Sequence, residues 1–508
     1  MKRFQKRFAD RIVGILSGFD RLLFGAAPGF IRYAGGLEKF LSANHVCYSE
    51  LDQFYQKLTD RIVAHGKRLA EEKGRPYLFL QSPKEDKREL AELIRKRDHV
   101  DKGLICVLSS IEPCQSFSIR KDGHGKFQWK SVLRKCLHLY FYFVDREFGL
   151  MYVRLQTWLP FRVEVGVNGR EWLERRLIRA GIDHRKEGNC FPWIDDVPRA
   201  QRLFDELLDR DWPALLSAWA RRVNPWLRSD SEYDLGRLGW CLRDGEYATD
   251  VMFRDKQTLE LIYPRMVRHA IDHFQTLDIL RFLARKADGR ARASVRSRMV
   301  DFGEGIRIKH WVDENSIKMY NKAGTVLRVE TTICQPKRFK TRRWVTQHGQ
   351  RVLGWAAMRK GVVDLRRRAE VSRAANKRYL EALALVQDPF PRSRLLDTVS
   401  RPVTRTGRRN RALRPISPED SQKLQLICRG EWLIRGFRNR DLFADWPDGR
   451  GLSPVQISRR ITRWLRLLRA HRLIYRVPGT HDYRISKKGH RIITAALEVR
   501  NEQVPVAA

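Results

Sequence analysis

Paired cysteines are missing from this chain of 508 residues. Its eight cysteines stand singly at 47, 106, 114, 136, 190, 241, 334 and 428, with no CxxC pair. A zinc ribbon or dithiol redox centre is therefore not expected. Several lie in apolar runs, such as Cys106 within LICVL, where the expected role is a small buried hydrophobe. No apolar run reaches membrane-spanning length. The N-terminus, MKRFQKRFADRIVGILSGFDRLLFG, is basic and amphipathic, but Asp10 and Asp20 interrupt any secretory core. It reads as an amphipathic helix that packs on the body or touches RNA. A GxxxxGK[ST] phosphate loop is also missing, which argues against an ATP-driven helicase or switch. These absences together predict a reduced, cytoplasmic protein with no membrane partner.

Acidic residues are scarce as well. Against 100 Lys plus Arg there are only 59 Asp plus Glu, a net charge of +41, and the pI is near 10.5. Such a surface repels itself, and a polyanion is the partner that relieves the repulsion. Each phosphate neutralised releases condensed counterions, so binding is expected to weaken steeply with salt. Hydrophobic residues make up 43% of the chain, enough for folded domains rather than a disordered basic tail.

Residues 1–130 read as a mostly helical region, with apolar residues at helical spacing over 51–69 and charged helix formers over 84–97. A short strand is expected at 77–80. From 131 to 335 the pattern is that of an α+β domain. The run CLHLYFYF at 136–143, a turn at 145–149, and strands over 150–158 and 161–167 precede a helix over 170–180. A strand at 190–194 and a helix from Pro198, capped by Asp195 or Asp196, follow. This order predicts one open sheet face, as in RNA-recognition or palm-like domains, with Tyr140, Tyr142, Arg154 and Trp158 placed to stack bases. Further on, Tyr247–Phe253 reads as a strand and 255–274 as a helix. A strong hairpin spans 306–333, and alternation gives it a basic face of Arg307, Lys309, Lys318 and Arg328 beside Glu330.

Residues 336–414 form a basic helical bridge and linker; over 335–414 there are 22 Lys plus Arg against 5 acids. Arg366, Arg367, Arg368, Arg408 and Arg409 are candidate nucleic-acid contacts, interleaved with Trp344, Trp355 and Tyr379.

The last stretch, 415–508, carries the most specific pattern. It begins with an amphipathic helix over 420–434 and a short one over 438–443. Ser453-Pro454 then opens a long helix whose apolar positions are Val455, Ile457, Ile461, Leu465 and Leu468. Its other faces carry Arg459, Arg460, Arg463, Arg466 and Arg469. Two short strands around Pro478-Gly479-Thr480-His481 and a closing helix complete the run LRLLRAHRLIYRVPGTHDYRISKKGHRIITAAL. This resembles the winged helix-turn-helix domains of bacterial regulators. The resemblance implies that the third helix enters the major groove and the wing touches backbone. Ser458, Arg459, Thr462, Arg463 and Arg466 would then be helix contacts, with Arg476 and His481 on the wing.

The hairpin IKMYNKAGTVLRVETTI resembles a strand pair of phage and plasmid replication initiators, and an uncharacterised family of basic bacterial proteins that end in a winged helix. The initiators' metal motif, two histidines flanking one hydrophobic residue, is not formed by His138, His184, His269, His273 or His310, which argues against nicking. Tyr320 and Tyr247 would be the nucleophiles of such chemistry. Endonuclease activity would instead require Mg²⁺ on converging carboxylates, for which Asp145, Asp250, Asp301 and Glu330 are the candidates. No metal or other cofactor is expected otherwise. His269 and His273 sit at i, i+4, a zinc-ligand spacing, but without the Glu of a metalloprotease motif.

The sequence therefore predicts an α+β nucleic-acid-binding protein of a bacterial mobile or defence-type element. It would hold RNA and/or DNA, as a ribonucleoprotein or with a homo-oligomeric or protein partner. An endonuclease or replication/transposition initiator, and a transcriptional regulator, are the alternatives. They separate on whether Asp145, Asp250, Asp301 and Glu330 converge.

Overall fold

The computed structural model of the chain describes residues 2–503 apart from 122, 125–126, 287, 303–304, 348, 385–391, 406, 429–431, 433–435, 448 and 450. The fold is mixed, 41% helical and 33% strand, so neither class alone builds it. The chain divides into two compact units. The first is Arg11–Asp255 with Glu314–Asn376, and the second is Met1–Asp10 with Lys256–Asp313 and Lys377–Ala508. Both are assembled from separated stretches, whereas the sequence reading divides the chain consecutively.

In chain order the strands begin with β1 (Ile12–Ala26), β2 (Tyr77–Phe79), β3 (Gly103–Lys121), β4 (Phe127–Asp145), β5 (Gly149–Gln156) and β6 (Val163–Asn168). They continue with β7 (His184–Glu187), β8 (Cys190–Ile194) and β9 (Cys241–Phe253). Next come β10 (Val295–Phe302) and β11 (Gly305–Val312), a hairpin of the second unit. Back in the first unit are β12 (Asn315–Lys322), β13 (Val326–Thr332), β14 (Lys340–Gln347) and β15 (Gln350–Ala357).

The first unit is organised around β1, which the sequence reading made part of an amphipathic helix. Only Lys2–Arg7 is helical there. Strand β1 lies between β6 and β9, antiparallel to both. A central strand is covered on both faces, so its apolar residues run nearly continuously and the period-2 signature is lost. Leu16, Phe19, Leu22 and Phe24 are all buried. Gly14 and Gly18 suit this position: a Cβ would meet Val197 at Gly14 and the Phe204 ring at Gly18, so both let the helix Val197–Asp205 approach. Within the unit the strand order is β12-β13-β9-β1-β6-β5-β4-β3-β2. Every neighbouring pair is antiparallel except β2 with β3.

Strands β3 and β4 also extend through residues read as helical or unassigned, so the expected helical region 1–130 contains all of β1 and β3 and the start of β4. Its helices are Ala34–Ala43, Leu51–Glu71 and Lys87–Arg97. The last two cover opposite faces of β3 and β4. Leu139 and Phe141 join the core beside Leu58 and Ile62, and Tyr142 and Val144 join a second core beside Ala91 and Ile94. The open sheet face expected here is thus closed. Tyr142 is buried, the Tyr140 hydroxyl donates to Glu112 at 2.8 Å, Arg154 pairs with Glu112 at 2.8 Å, and Arg134 lies over the Trp158 ring at 3.9 Å.

Other local expectations hold. Asp196 caps Val197–Asp205, and the helix expected over 170–180 is Gly169–Arg179, where Asn168 accepts from the Arg170 and Glu171 backbone amides. The helix expected from Pro198 onward is two, since Trp212–Val223 begins anew behind an Asp211 cap. In the basic bridge, β14 and β15 form a hairpin where helix was expected, followed by the helix Leu365–Leu383.

In the second unit, Phe4 is buried, and the Arg3 backbone amide donates to Glu381 at 3.1 Å. The chain's last part has a core of its own around Leu424, Ile427, Ile461, Leu465, Leu468 and Ile493. Its elements are the helix Pro418–Ile427, a 3-10 turn Asn439–Leu442, the helix Pro454–Ala470, strands Ile474–Arg476 and Tyr483–Ile485, and the helix Lys487–Gln503. The end of the helix expected over 420–434 lies partly outside the described residues. The expected extended linker at 401–415 contains a small strand pair, Val403–Arg405 with Arg408–Asn410. Among the described residues no helix is long and apolar enough to cross a membrane.

Candidate nucleic-acid interface

At the start of the helix Pro454–Ala470 the Gln456 side chain accepts from the Ser453 backbone amide at 2.9 Å, and Pro454 occupies the first turn. Ile457, Ile461, Trp464, Leu465 and Leu468 are buried on one face. Val455, read as a core position, is 58% exposed; it precedes the first buried turn and faces away from it. On the opposite side Arg459, Arg460, Arg463, Arg466 and Arg469 are exposed. Arg459, Arg463 and Arg466 follow i, i+4, i+7 spacing and form one stripe about 10 Å long. Among the described residues no acidic side chain pairs with these three.

Two neighbouring polar positions are used differently. Asn439 donates to the Ser458 carbonyl at 3.0 Å and the Thr462 hydroxyl at 2.8 Å, while the Ser458 hydroxyl donates back to Asn439 at 3.2 Å. Ser458 and Thr462 therefore tie the 3-10 turn to the long helix. In the following hairpin the Arg476 guanidinium donates to the Thr480 carbonyl at 2.7 Å and lies 3.1 Å from His481 Nδ1. Arg476 is exposed yet also closes its turn. Arg408 and Arg409 are exposed on their own short hairpin.

The basic residues proposed on the 306–333 hairpin divide. Ile308 and His310 point inward, and Arg307 and Lys309 are half-buried, as alternation requires. Burial pushes the His310 imidazole down to about 4. Arg328 belongs to the interior instead: it has no exposed surface. Its expected face is covered because β13 is flanked by β12 and β9 and packed on both sides. The register sets Arg328 opposite Asp250. Its guanidinium donates to both Asp250 oxygens at 2.6 and 2.9 Å, to Asp20 at 2.8 Å and to the Asn189 carbonyl at 2.7 Å.

Asp20 reaches this point from a bulge. Phe19 pairs with Tyr247 and Arg21 with Glu246, which leaves Asp20 as the extra residue of β1. Arg170, fully buried in the first turn of its helix, approaches Asp250 at 3.1 Å. Lys318 bridges Glu330 at 2.7 Å and Glu246 at 3.4 Å, Arg21 lies 3.6 Å from Glu246, and Tyr320 donates to Glu330 at 3.0 Å. Burial alone would raise the Asp250 carboxyl, but the Arg170 and Arg328 charges hold it below the usual range. For Glu330 burial prevails and the carboxyl is raised. Burial likewise raises the Tyr320 phenol, and takes Tyr247 to about 12. Tyr247 is buried and accepts from Arg373 at 2.8 Å; neither tyrosine is presented as a nucleophile.

The four carboxylates proposed for Mg²⁺ do not form one site among the described residues. Asp250 and Glu330 share the buried network. Asp145 accepts from the Glu147 and Phe148 amides at 2.7 and 3.0 Å in the turn between β4 and β5, and Asp301 is exposed on β10 of the second unit. A different trio, Asp20, Glu246 and Glu330, brings its oxygens within 4.8 Å of one another. These could ligate a cation, but Asp20, Glu246, Asp250 and Glu330 already face Arg21, Arg170, Lys318 and Arg328. Each of these carboxylates already has a basic partner, although Arg21 is shared with Asp244 at 2.7 Å. Asp20 and Arg170 carried no motif; only the long-range register and the bulge bring them here.

No protein-family model, curated protein or solved structure matches the chain. Its own geometry has to carry the functional reading.

The bridge arginines also separate. Arg366 is exposed and pairs with Asp209. Arg367 pairs with Glu370 at 2.7 Å. Arg368 is buried, donating to the Leu242 carbonyl at 3.0 Å. The neighbouring run therefore offers Arg366 and Arg367 to a ligand but not Arg368. The i, i+4 histidines stack at 4.5 Å, and His269 uses Nε2 on the Ala382 carbonyl at 3.2 Å, a packing role.

Proposed function

We propose that the protein binds nucleic acid, and that the helix Pro454–Ala470 with its following hairpin is a winged-helix module docking on duplex. One observation carries this reading: Arg459, Arg463 and Arg466 form an exposed stripe on a helix whose other face is buried, with no acidic partner among the described residues. Ordinary surface arginines gain from nearby carboxylates, and a stripe without them suits phosphates. The excess of 41 positive charges supports it independently. The palm-like reading of the central body has less behind it, since the Lys87–Arg97 helix covers the face that would hold RNA. A bound RNA, giving a ribonucleoprotein of a mobile or defence-type element, remains part of the proposal through the charge excess alone. The metal-dependent endonuclease reading loses its motive, because its carboxylates are dispersed or neutralised by arginine and lysine.

The test is filter binding of the full chain to a labelled duplex. Arg463→Ala is expected to weaken binding by about 10-fold, the scale of one good arginine contact. Unchanged affinity in Arg463→Ala and in the combined Arg459, Arg463 and Arg466 alanine variant would remove the helix from the interface.

A further inference from the structure

The hairpin β14–β15 turns its large side chains the wrong way for a structural ribbon. Cross-strand pairs share a face of an antiparallel ladder, and the register pairs Arg342 with Trp355, Trp344 with Leu353 and Thr346 with Arg351. All six of these residues are exposed. The covered face carries Thr341, Arg343, Val345, Val352, Gly354 and Ala356, buried or half-buried. Apart from Arg343, small residues thus point inward, while Trp344 and Trp355, 60% and 61% exposed, and Leu353, 46% exposed, point into solvent. Gly349 at the turn, with φ +78°, lets the strands reverse tightly. Exposing two indoles side by side forgoes a large burial gain, and contiguous apolar patches of this kind mark interaction sites.

The charges around the patch select among occupants. Lys340, Arg342 and Arg351 are exposed on the same face as the indoles, with no carboxylate among the described residues of either strand. The Arg367 guanidinium, itself paired with Glu370, lies 5.7 Å from the Trp355 ring centre. A second copy of the chain would bring the same cations against each other. An anionic ligand with flat apolar faces satisfies both features at once. Trp344 and Trp355 are diagonal neighbours, a relation that places such positions about 7–8 Å apart, so successive bases of one strand can reach both. Paired bases offer no free face to an indole, whereas unpaired ones do.

We infer that the β14–β15 face is a stacking platform for unpaired nucleotides, with Trp344 and Trp355 taking bases and Arg342 and Arg351 taking phosphates. The inference rests on the nucleic-acid reading above and adds a second, strand-state-specific site in the first unit.

It is tested on the full chain with labelled oligothymidylate, a blunt duplex of mixed sequence, and vesicles of phosphatidylserine and phosphatidylcholine. The Trp344→Ala, Trp355→Ala double variant is expected to lose at least about 10-fold in affinity for oligothymidylate. Duplex affinity and the thermal midpoint should hold. A Trp344→Phe, Trp355→Phe variant should keep most of the single-strand affinity. If the wild type binds both nucleic acids and the double alanine variant loses neither, or loses both equally, the platform is overturned while the nucleic-acid function stands. Wild type that binds neither overturns both. Loss of vesicle binding with oligothymidylate binding intact would assign the indoles to a membrane surface and also overturn the platform.

Discussion

Arg328 and Arg463 are the same residue type in opposite surroundings. Arg328 has no exposed surface and is held by Asp20, Asn189 and Asp250. Arg463 is exposed on the helix Pro454–Ala470, and no acidic side chain pairs with it among the described residues. A buried guanidinium needs its carboxylates to offset desolvation, whereas an exposed one remains solvated until a ligand arrives. Part of the basic composition thus organises the interior of the first unit, and the exposed part is what a polyanion can use. Counting charge in the sequence gives the total but not this division.

The largest effect that can break the comparison is in the interior. Arg328→Met leaves Asp20 and Asp250 facing each other without their shared cation, and should cost about 3–5 kcal/mol of stability, read by urea unfolding. A loss below about 1 kcal/mol would mean that the network is not what holds β1, β9 and β13 together. The combined Arg459, Arg463 and Arg466 alanine variant should show the reverse behaviour. Its stability should stay within about 0.5 kcal/mol of wild type, as for surface sites without partners, while duplex binding collapses in the filter assay.

Smaller differences sharpen the same contrast within one helix. Arg366→Ala with Arg367→Ala should weaken binding modestly, because both side chains already have acidic partners in Asp209 and Glu370. Arg368→Ala should instead destabilise by about 1–3 kcal/mol, since its hydrogen bond to the Leu242 carbonyl is buried.

The smallest expected effect is a pH slope. Burial would raise the Asp420 carboxyl, but the Arg411 guanidinium and the Arg414 amide bonded to it hold it below the usual range. A depressed carboxyl contributes stability that is full above its unfolded value and is lost as pH falls through its folded one. Thermal unfolding of the full chain should therefore show a loss below about pH 4 that is reduced in Asp420→Asn.

How much of this was legible in the sequence depended on how local the signal was. Caps and short-range patterns could be read: the Asp196 cap, the strands near 150–156 and 163–167, and the sequence of elements from 418 onward. Strand β1 could not, because burial on both faces erases alternation and its flanking charges imitate an amphipathic helix. Nor could β14–β15, whose basic residues suggested helix although Trp344, Val345, Val352 and Trp355 suit strands. At the site, the arginines of Pro454–Ala470 were visible from spacing alone. Arg328 was assigned to a surface because a strand shows two faces in sequence but not whether both are covered. Asp20 and Arg170 meet Asp250 from more than 70 residues away in sequence, and a bulge in β1 has no sequence signature of its own.

The most direct test of the division between interior and exposed arginine is the salt dependence of duplex binding, compared between wild type and the Arg459, Arg463 and Arg466 alanine variant. The slope of log affinity against log salt should fall by roughly 2.7, about 0.9 for each phosphate no longer neutralised, with unfolding unchanged. An equal slope in the two proteins would contradict the account and return the helix to the role of an unoccupied charged surface.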